Sequence, residues 1–399
     1  MTDFNFIKPL VQKNESKIIL LVLDGLGGLP KNGKTELETA GKPNMNKILK
    51  SSSIGQMLPI ASGITPGSGP GHLGLFGYDP QKYILGRGIL EAIGINFKVQ
   101  HGDLCTRINF ATVDDKGNVT DRRAGRIPTE LNKKLCARLG NIKLKDVDVF
   151  VEPVKEHRAA IIFRGQGLFD KLCETDPQKT GVPPIELKAL DKDSQKSQKV
   201  VNDFFRQAKE ILKDEHPANM IMFRGWANYV KIPSFNEVYG LKAAAVAGYP
   251  MYRGLAKLTG MDVIETESGI VPQTETLSRI YKDYDFFFVH IKYTDSAGED
   301  GDFERKVKVI EEVDAHLPEI LKLNPDVFVV TGDHSTPAVY KAHSWHPIPA
   351  LLKSKWVRPG GHSNFCESEC VVGSLGTFKS KELMSLILAH AGRLSKFGA

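Results

Sequence analysis

Several features that would place this chain in a specialised class of protein are missing from its sequence. No apolar run approaches the roughly 20 residues that a membrane-spanning helix needs. The first residues, MTDFNFIKPLVQKNESK, are charged and polar where a secretory signal has an unbroken apolar stretch. We therefore expect a protein that stays in the cytoplasm and has no membrane partner.

Cysteine is scarce, and its spacing is not that of a metal site. The chain has five cysteines, an odd number, at positions 105, 136, 173, 366 and 370. Cys366 and Cys370 are the nearest thing to a pair, but they are four apart and lack the close spacing of zinc ligands. In a cytoplasmic protein we expect all five to be reduced thiols.

A strong charge imbalance is also lacking. The chain has 53 basic and 47 acidic residues and a net charge of +6, and the basic residues form no runs with interleaved aromatics. Such runs are typical of a groove that follows a nucleic-acid backbone, so we expect no nucleic-acid partner. A small anionic substrate is compatible with this mild excess, whereas the sequence does not indicate an oligomeric state.

What is present is the composition of an ordinary globular protein with more than one domain. Hydrophobic residues make up 41% and charged residues 25% of the 399 positions. At about 100 to 200 residues per domain, the length predicts two or three domains.

Three apolar runs predict buried parallel strands that end in polar side chains. KIILLVLD ends at Asp24, FFFVHI ends at Ile291 and is followed by Lys292, and DVFVVT runs into Gly-Asp-His at 332–334. Helix-like stretches alternate with these runs, at 44–50, 198–213 and 302–323. This alternation predicts an α/β fold with a mainly parallel sheet flanked by helices, and ligands of such sheets bind beyond the carboxyl ends of the strands.

The middle of the chain has a different pattern of predicted secondary structure. Residues 96–188 alternate short strand-like segments with turn signals, including the hairpin-like Asp-Lys-Gly-Asn at 115–118. We therefore predict an inserted α+β domain over 96–188 and a discontinuous core formed by 1–95 and 189–399.

Polar residues at strand ends and Gly-rich turns are the candidates for chemistry. Asp24 precedes Gly-Leu-Gly-Gly, but Pro30 stands where a dinucleotide fingerprint needs its last glycine, so that motif is not supported. Any one strand-end aspartate, taken singly, is more often a helix cap or a loop anchor.

Ser68 lies in the sharp turn GITPGSGPGH, just before a helix-like segment. A serine at the positive end of a helix can hold phosphate and be stabilised as an alkoxide, and it can equally be an ordinary N-cap. Activation of Ser68 needs a neighbouring base or a metal. The flanking residues do not form a Gly-x-Ser-x-Gly elbow, and none is required if a metal supplies the activation.

Carboxylates and imidazoles near the carboxyl end of the chain predict a metal site. Asp333, His334 and His343 combine oxygen and nitrogen donors, a mixture that suits Mn²⁺, Zn²⁺ or iron. The acidic segment DSAGEDGD, which begins at Asp295, is not a Ca²⁺ loop because Lys306 occupies its twelfth position. The alternative for this segment is a solvated acidic turn that caps a helix starting at Asp302.

In order along the chain, VLDGLGGLP, GKTELETAGKPNM, GITPGSGPGHLGLFGYDP, DRRAGRI, EHRAAIIFRG, YGLKAAAVAG, KYTDSAGEDGD and TGDHSTP with AHSWHPIP resemble the archaeal-type 2,3-bisphosphoglycerate-independent phosphoglycerate mutases of the alkaline phosphatase superfamily. The resemblance covers nearly the whole chain. It implies an alkaline-phosphatase-like core with an inserted lid domain, and two bound divalent metal ions. Mn²⁺ is expected first, with Mg²⁺, Co²⁺ and Zn²⁺ as alternatives and no 2,3-bisphosphoglycerate.

The resemblance also implies roles for individual residues. One metal would be held by Asp24, Ser68, Asp333 and His334, with Ser68 also the nucleophile. The second would be held by Asp295 and His343, with Glu299 where many relatives have His. A carboxylate at that place adds negative charge, so we expect a preference for Mn²⁺ or Mg²⁺ over Zn²⁺.

Arginines of the inserted domain are the candidates for binding the substrate anion, because the planar guanidinium suits carboxylate and phosphate. Individually each is more often a surface charge, and we expect roughly half of the six to contact substrate. Arg224 is a further candidate in the core domain, and Lys292 could neutralise phosphate or serve the leaving oxygen, its alternative being a solvated strand-end lysine. The six inserted-domain candidates are Arg107, Arg122, Arg123, Arg126, Arg158 and Arg164.

The activity implied by the resemblance is the interconversion of 2- and 3-phosphoglycerate through a phosphoserine, in glycolysis and gluconeogenesis. The same serine and metals could instead serve a phosphohydrolase or a phosphotransferase to another hydroxyl, such as that of homoserine. A metal-binding regulatory protein without activity is a third reading, supported only by Glu299.

Overall fold

The structure is a computed structural model that describes residues 4–83, 85–229 and 232–398. The chain divides into two compact units, Met1–Ile84 with Ile232–Ala399, and Leu85–Lys231. The boundaries predicted at 95/96 and 188/189 differ from this division, because 85–95 and 189–231 belong to the second unit. Among the described residues, no helix has both the length and the apolar character that crossing a bilayer demands.

Thirteen strands are found in the described part of the chain. They are β1 Ile18–Leu23, β2 Ser52–Leu58, β3 Leu104–Val113, β4 Val119–Asp121, β5 Asp148–Lys155, β6 Arg158–Arg164, β7 Met220–Asn228, β8 Ala243–Ala247, β9 Asp262–Ile264, β10 Phe286–Ile291, β11 Val327–Thr331, β12 Ile348–Ser354 and β13 Gly376–Lys379.

Fourteen α-helices are found in the same described ranges. They are α1 Phe4–Ile7, α2 Glu36–Thr39, α3 Pro43–Ile48, α4 Ser68–Leu75, α5 Arg87–Gly94, α6 Thr129–Leu139, α7 Gln195–Leu212, α8 Phe235–Tyr239, α9 Pro250–Leu258, α10 Ile270–Ile280, α11 Tyr293–Asp300, α12 Phe303–Leu321, α13 Glu367–Val371 and α14 Leu383–His390. Short 3₁₀ turns cover Lys8–Leu10, Leu49–Ser51, Ala124–Arg126 and Ser380–Glu382.

The first unit is built on an eight-stranded sheet in the order β13-β2-β12-β11-β1-β10-β8-β9. The strands from β11 to β9 run parallel, whereas β12 is antiparallel to both of its neighbours. The central strands β1, β10 and β11 are buried along their whole length because the sheet is covered on both faces, which is why they read as unbroken apolar runs. The predicted α/β fold with a mainly parallel sheet is confirmed.

The register of the central strands brings their carboxyl ends to one level. Leu23 of β1 pairs with Ile291 of β10, and Val22 pairs with Thr331 of β11. The residues that follow these strands therefore meet at one edge of the sheet, as expected for a ligand site of an open α/β sheet.

The second unit contains a separate antiparallel sheet in the order β4-β3-β6-β5, with β7 also paired to β3. The predicted hairpin turn at 115–118 joins β3 to β4. One face of this sheet packs in an apolar core with α6 and α7, which include Leu135, Leu139, Val201 and Phe204. Helix α7, which corresponds to the helix-like stretch predicted at 198–213, therefore lies in the second unit and not in the predicted core.

Candidate active site and metal centre

The site lies at the carboxyl ends of β1, β10 and β11. Asp24 follows β1 directly, and Gly25 turns the chain away with a φ of +64°, a left-handed conformation that favours glycine. The amide of Gly25 donates to Asp333 Oδ1 at 3.1 Å, so the turn after β1 also fixes the carboxylate after β11. The Thr294 hydroxyl donates to the carbonyl of Asp24 at 2.5 Å and ties the start of α11 to the same place.

Ser68 is the first residue of α4, and Gly67 occupies the N-cap position. The N-cap interpretation of Ser68 is therefore wrong. Its Oγ lies 3.3 Å from Nε2 of His334 and is part-exposed, so the hydroxyl sits at the positive end of a helix beside a buried imidazole.

Two groups of potential ligand atoms meet here. Asp24, Asp333 and His334 form one group, and Asp295, His334 and His343 form the other; within each, the ligand atoms lie within 4.8 Å of one another. His334 Nε2 lies 3.3 Å from Asp24 Oδ1 and 3.1 Å from Asp333 Oδ2. The rings of His334 and His343 stack with their centroids 3.6 Å apart.

These residues fit divalent cations. Asp24, Asp295 and Asp333 are at most 1% exposed, and burying three carboxylates is unfavourable unless positive charge accompanies them. Asp24 Oδ1 and Asp333 Oδ2 are buried without a hydrogen-bond partner among the described residues. Carboxylate oxygens combined with imidazole nitrogens suit Mn²⁺ and neighbouring transition metals.

The pKa values of Asp24 and Asp333 are shifted because these buried carboxyls lie close to each other and to other charged groups. Burial, with the negative charge of Asp24, raises the pKa of Asp333 to about 6. Burial would also raise the pKa of Asp24, but Lys292, His290 and His334 outweigh it and hold that pKa well below its usual range. The raised pKa of Asp333 reflects burial and the repulsion between the two buried carboxylates, which a nearby cation would relieve.

Lys292 is paired within the site rather than solvated. Its Nζ donates to Asp24 Oδ2 at 3.2 Å, to the Tyr252 hydroxyl at 3.1 Å and, by a short contact, to Asp295 Oδ2. The ammonium thus joins one carboxylate of each ligand group, and the strand-end solvated lysine is wrong for this position. Burial would lower the pKa of Lys292, but Asp24 and Asp295 outweigh it and raise that pKa.

The acidic segment that begins at Asp295 is helical. Asp295 and Glu299 lie four residues apart on α11, which places them on one face of the helix. Glu299 Oε1 is 3.7 Å from His343 Nε2, and its side chain is 55% exposed, so Glu299 borders the second ligand group without belonging to it. Asp302 does cap α12, by accepting from the amide of Arg305.

Three buried side chains of the site carry no sequence signal by themselves. His72 Nδ1 lies 3.0 Å from Asp333 Oδ2 and bonds to the Ser68 carbonyl at 2.9 Å. His290 Nε2 lies 3.1 Å from Asp24 Oδ2, and the Tyr252 ring packs against His290 with centroids 3.8 Å apart. His72 stands one helical turn after Ser68 and His290 two residues before Lys292, and these spacings were the available clues.

The predicted arginines divide into three groups. Arg122 forms a two-pronged ion pair with Asp176, and Arg164 forms one with Asp103, so both guanidinium forks are occupied within the second unit. Arg123 and Arg126 are exposed and lie at the Ala124–Arg126 turn.

The third group lies on the sheet face opposite α6 and α7, where Glu91 of α5 lies 3.7 Å from Arg107 Nη1. Arg107 pairs with Arg224 across β3 and β7, and Arg158 stands opposite Asn109, two residues along the same face. Arg107 is 8% exposed, and its Nε has no hydrogen-bond partner among the described residues. Burial, together with Arg87, Arg224 and Arg158, lowers the pKa of Arg107 to about 10 although Glu91 opposes the shift.

The position of Arg224 differs from its predicted place in the core domain. It lies on β7 in the second unit, not in the core domain, because β7 completes the antiparallel sheet. Its guanidinium is 3.4 Å from Glu174 and 3.5 Å from Asp176, longer contacts than those of Arg122.

Comparison with known proteins gives a consistent result. Residues 50–219 match the family model described as 2,3-bisphosphoglycerate-independent phosphoglycerate mutase. A probable 2,3-bisphosphoglycerate-independent phosphoglycerate mutase of Thermotoga sp. strain RQ2 is 53% identical over 396 residues, covering 99% of this chain and 98% of the relative.

Two solved structures resemble the chain over nearly its full length. The PH0037 protein of Pyrococcus horikoshii matches with a TM-score of 0.83 and 29% identity, covering 96% of this chain and 100% of the other. A cofactor-independent phosphoglycerate mutase of Thermoplasma acidophilum matches with a TM-score of 0.71 and 31% identity, covering 94% and 100%.

Proposed function

Because the chain belongs to the family of 2,3-bisphosphoglycerate-independent phosphoglycerate mutases and is thus an isomerase, we propose that it interconverts 2- and 3-phosphoglycerate through a phosphoserine on Ser68. The observation that carries the mechanism is the convergence of Ser68 Oγ with His334, Asp24 and Asp333 at the amino end of α4. The reaction belongs to glycolysis and gluconeogenesis.

Ser68 is the nucleophile in this proposal. Its Oγ attacks the phosphorus of bound phosphoglycerate, the bond from phosphorus to one glycerate oxygen breaks, and the serine proton ends on that oxygen. The glycerate then turns without leaving, its other hydroxyl attacks the phosphorus, the bond from phosphorus to Ser68 Oγ breaks, and the proton of that hydroxyl ends on Ser68 Oγ. The amino end of α4 favours the phosphoryl oxygens through its amide dipoles.

The metal ions would be held by two sets of side chains. Asp24, Asp333, His334 and Ser68 form the first, and Asp295 and His343 form the second with Glu299 beside them. When bound, two such cations would offset the negative charge of the attacking serine and of the transferring phosphoryl group. We propose Mn²⁺ as the resident metal.

Lys292 would support this chemistry by charge. It already compensates Asp24 and Asp295, and a neighbouring ammonium favours the negative charge that develops in the transition state of phosphoryl transfer. Tyr252, whose hydroxyl is bonded to Lys292, would keep that ammonium oriented.

The carboxylate of glycerate would be bound by Arg107, Arg158 and Arg224 of the second unit. They share one face of the antiparallel sheet, and the buried Nε of Arg107, beside the Glu91 pair at Nη1, has no hydrogen-bond partner among the described residues and could donate to an anion. Arg122 and Arg164 would serve the fold of that unit instead. If the arginines keep the glycerate bound through its carboxylate, the glycerate can reorient without leaving the site. These residues therefore favour a mutase over a phosphohydrolase.

The test is an assay of metal-stripped protein that has been reloaded with Mn²⁺ and given 3-phosphoglycerate without any bisphosphate. Phosphorus NMR follows both phosphoglycerates and free phosphate. We expect 2-phosphoglycerate to form with little phosphate release, and Ser68→Ala to reduce the rate by roughly a thousandfold or more because the covalent step is lost.

The matched control is Ser278→Ala, which removes a helix hydroxyl that, among the described residues, donates to the Thr274 carbonyl in α10 and to no other group. It should retain the activity. If free phosphate is the main product, the activity is that of a phosphohydrolase and not of a mutase. An active Ser68→Ala variant would rule out the phosphoserine mechanism. Phosphoryl transfer to homoserine supplied as acceptor would indicate the phosphotransferase.

A further inference from the structure

Thr336 is a buried residue that touches a ligand from each of the two metal groups. Its Oγ1 lies 2.7 Å from Asp295 Oδ1 and 2.9 Å from His334 Nδ1, and the residue is fully buried. Asp295 belongs to the group with His343, whereas His334 also reaches Asp24 and Asp333. A single hydroxyl therefore connects the two groups.

The hydrogen-bond chemistry of this hydroxyl has one consistent solution. A carboxylate can only accept, so the Thr336 hydrogen is donated to Asp295. The Thr336 oxygen must then accept from His334, which places the imidazole hydrogen on Nδ1 and leaves the Nε2 lone pair bare. Nε2 is the atom that faces Asp24, Asp333 and Ser68.

This solution settles which group His334 serves. By distance alone, Nδ1 of His334 could join Asp295 and His343, since it lies 3.9 Å from Asp295 Oδ1. The hydrogen on Nδ1 removes it as a ligand, because a ring nitrogen binds a metal only through its lone pair. His334 is thereby assigned to the group of Asp24 and Asp333.

The surroundings hold Thr336 in place. Its amide donates to the carbonyls of Gly25 and Gly27, and its carbonyl accepts from Lys306 Nζ at 2.9 Å. Lys306 is itself buried beside Glu36 and donates to the Gly27 carbonyl at 3.0 Å. The loop after β1, the loop after β11 and α12 therefore fix the position from which the hydroxyl acts.

We propose that Thr336 is a positioning residue that couples the two metal centres, by fixing the Nδ1–H form of His334 for one ion and the orientation of Asp295 for the other. This inference rests on the proposed two-metal function. It predicts that loss of the hydroxyl weakens the binding of both ions. It also predicts that serine at position 336 supports binding as well as threonine does.

The experiment measures Mn²⁺ binding to metal-stripped wild type, Thr336→Val, Thr336→Ser and Thr259→Val by titration calorimetry. Thr259 is the matched control because it is equally buried, and within the described part of the chain its hydroxyl bonds to the Ala256 carbonyl alone. We expect Thr336→Val to bind both ions about 10- to 100-fold more weakly, as for other residues that orient metal ligands. Thr336→Ser and Thr259→Val should bind like the wild type.

Melting temperatures of the metal-free variants show whether Thr336→Val is folded. Wild-type affinity at either site in a folded Thr336→Val variant, or failure of Thr336→Ser to restore binding, overturns the proposal. If Thr336→Val does not fold, ¹⁵N-histidine NMR of the Zn²⁺-loaded wild type decides: hydrogen on Nδ1 and metal on Nε2 of His334 supports the proposal, and the reverse overturns it.

The outcome is separable from that of the proposed function. A wild type that binds two ions but forms no 2-phosphoglycerate defeats the mutase and leaves the Thr336 result standing. If the wild type is a mutase and Thr336→Val binds both ions as the wild type does, only the proposed role of Thr336 is contradicted. A wild type that binds no ion defeats both.

Discussion

Glu299 is the residue at which this site departs from the pattern that its resemblance implies. A carboxylate there adds negative charge and a hard oxygen donor beside Asp295, whereas a histidine would add a neutral nitrogen donor favoured by Zn²⁺. Burial and the negative charge of Asp295 raise the pKa of Glu299, which shows that the two carboxylates repel each other in the absence of a cation.

We therefore expect Glu299→His to shift the metal preference towards Zn²⁺, by roughly tenfold relative to Mn²⁺. The measurement is the activity of metal-stripped protein reloaded with each ion in turn. Asp300→His is the control, because Asp300 on the same helix pairs with Arg305 instead. Highest activity of the wild type with Zn²⁺ would contradict this account of Glu299.

Burial of His157 should make the free energy of unfolding depend on pH, independently of the metal site. Burial, then the charge of Arg158, lowers its pKa from 6.5 to about 4 in the folded chain. Between these values the unfolded chain binds a proton that the folded chain does not, so the free energy of unfolding is complete above about pH 6.5 and falls as the pH drops towards 4.

We expect His157→Gln to lose less stability than the wild type between about pH 7.5 and about pH 5, by roughly 1–2 kcal/mol. Urea unfolding at the two pH values measures the difference. His101→Gln, an exposed histidine of the same unit, should behave like the wild type. Parallel acid losses in wild type and His157→Gln would refute the assignment.

At the scale of elements, the approach of α4 to the loop after β11 is what places Ser68 against His334. Gly71 permits this approach, since a Cβ built on it would lie 2.5 Å from the Asp333 carbonyl oxygen. Real Cβ atoms do not come so close, and backbone cannot give way as a side-chain end can. The glycine is therefore required by packing and not by its own backbone angles.

We expect Gly71→Ala to reduce activity by about 10- to 100-fold, because a displacement of under 1 Å between nucleophile and ligands is costly. Helix propensity would favour alanine by about 1 kcal/mol, so a loss cannot come from the helix itself. Steady-state kinetics with Gly140→Ala as control tests this, as the nearest atom to a Cβ at Gly140 is 3.4 Å away. Unchanged kinetics of Gly71→Ala would mean that the loop moves freely.

For the whole molecule, all the proposed metal ligands lie in the first unit. Binding stabilises only the state that binds, by about 2.7 kcal/mol for each ion present at 100 times its dissociation constant. The two units should therefore respond differently to removal of metal.

We expect a chelator to increase hydrogen exchange in peptides from β1, β10 and β11 and to leave peptides from β3, β6 and β7 unchanged. Mass spectrometry of exchange with and without EDTA makes the comparison within one sample. An equal response of both sheets would indicate that the units unfold as one, and no response would indicate that no ion is bound.

The sequence by itself determined the buried strands, the chemistry at their ends and the family. Central parallel strands are apolar on both faces, so β1, β10 and β11 are visible as local runs, and Asp24, Asp333 and His334 stand directly after them. The fold class and the grouping of these residues could be predicted because strand order places such ends side by side.

Tertiary structure alone decided which polar groups face each other. The contact of Thr336 with Asp295 spans 41 positions, and that of His290 with Asp24 spans 266. No local pattern encodes such pairs. The same holds for the division of the arginines, since Arg122 and Arg164 are set apart only by the carboxylates that fold against them. It holds as well for α7 and β7, because α7 packs against the antiparallel sheet of the second unit and β7 joins that sheet by pairing with β3.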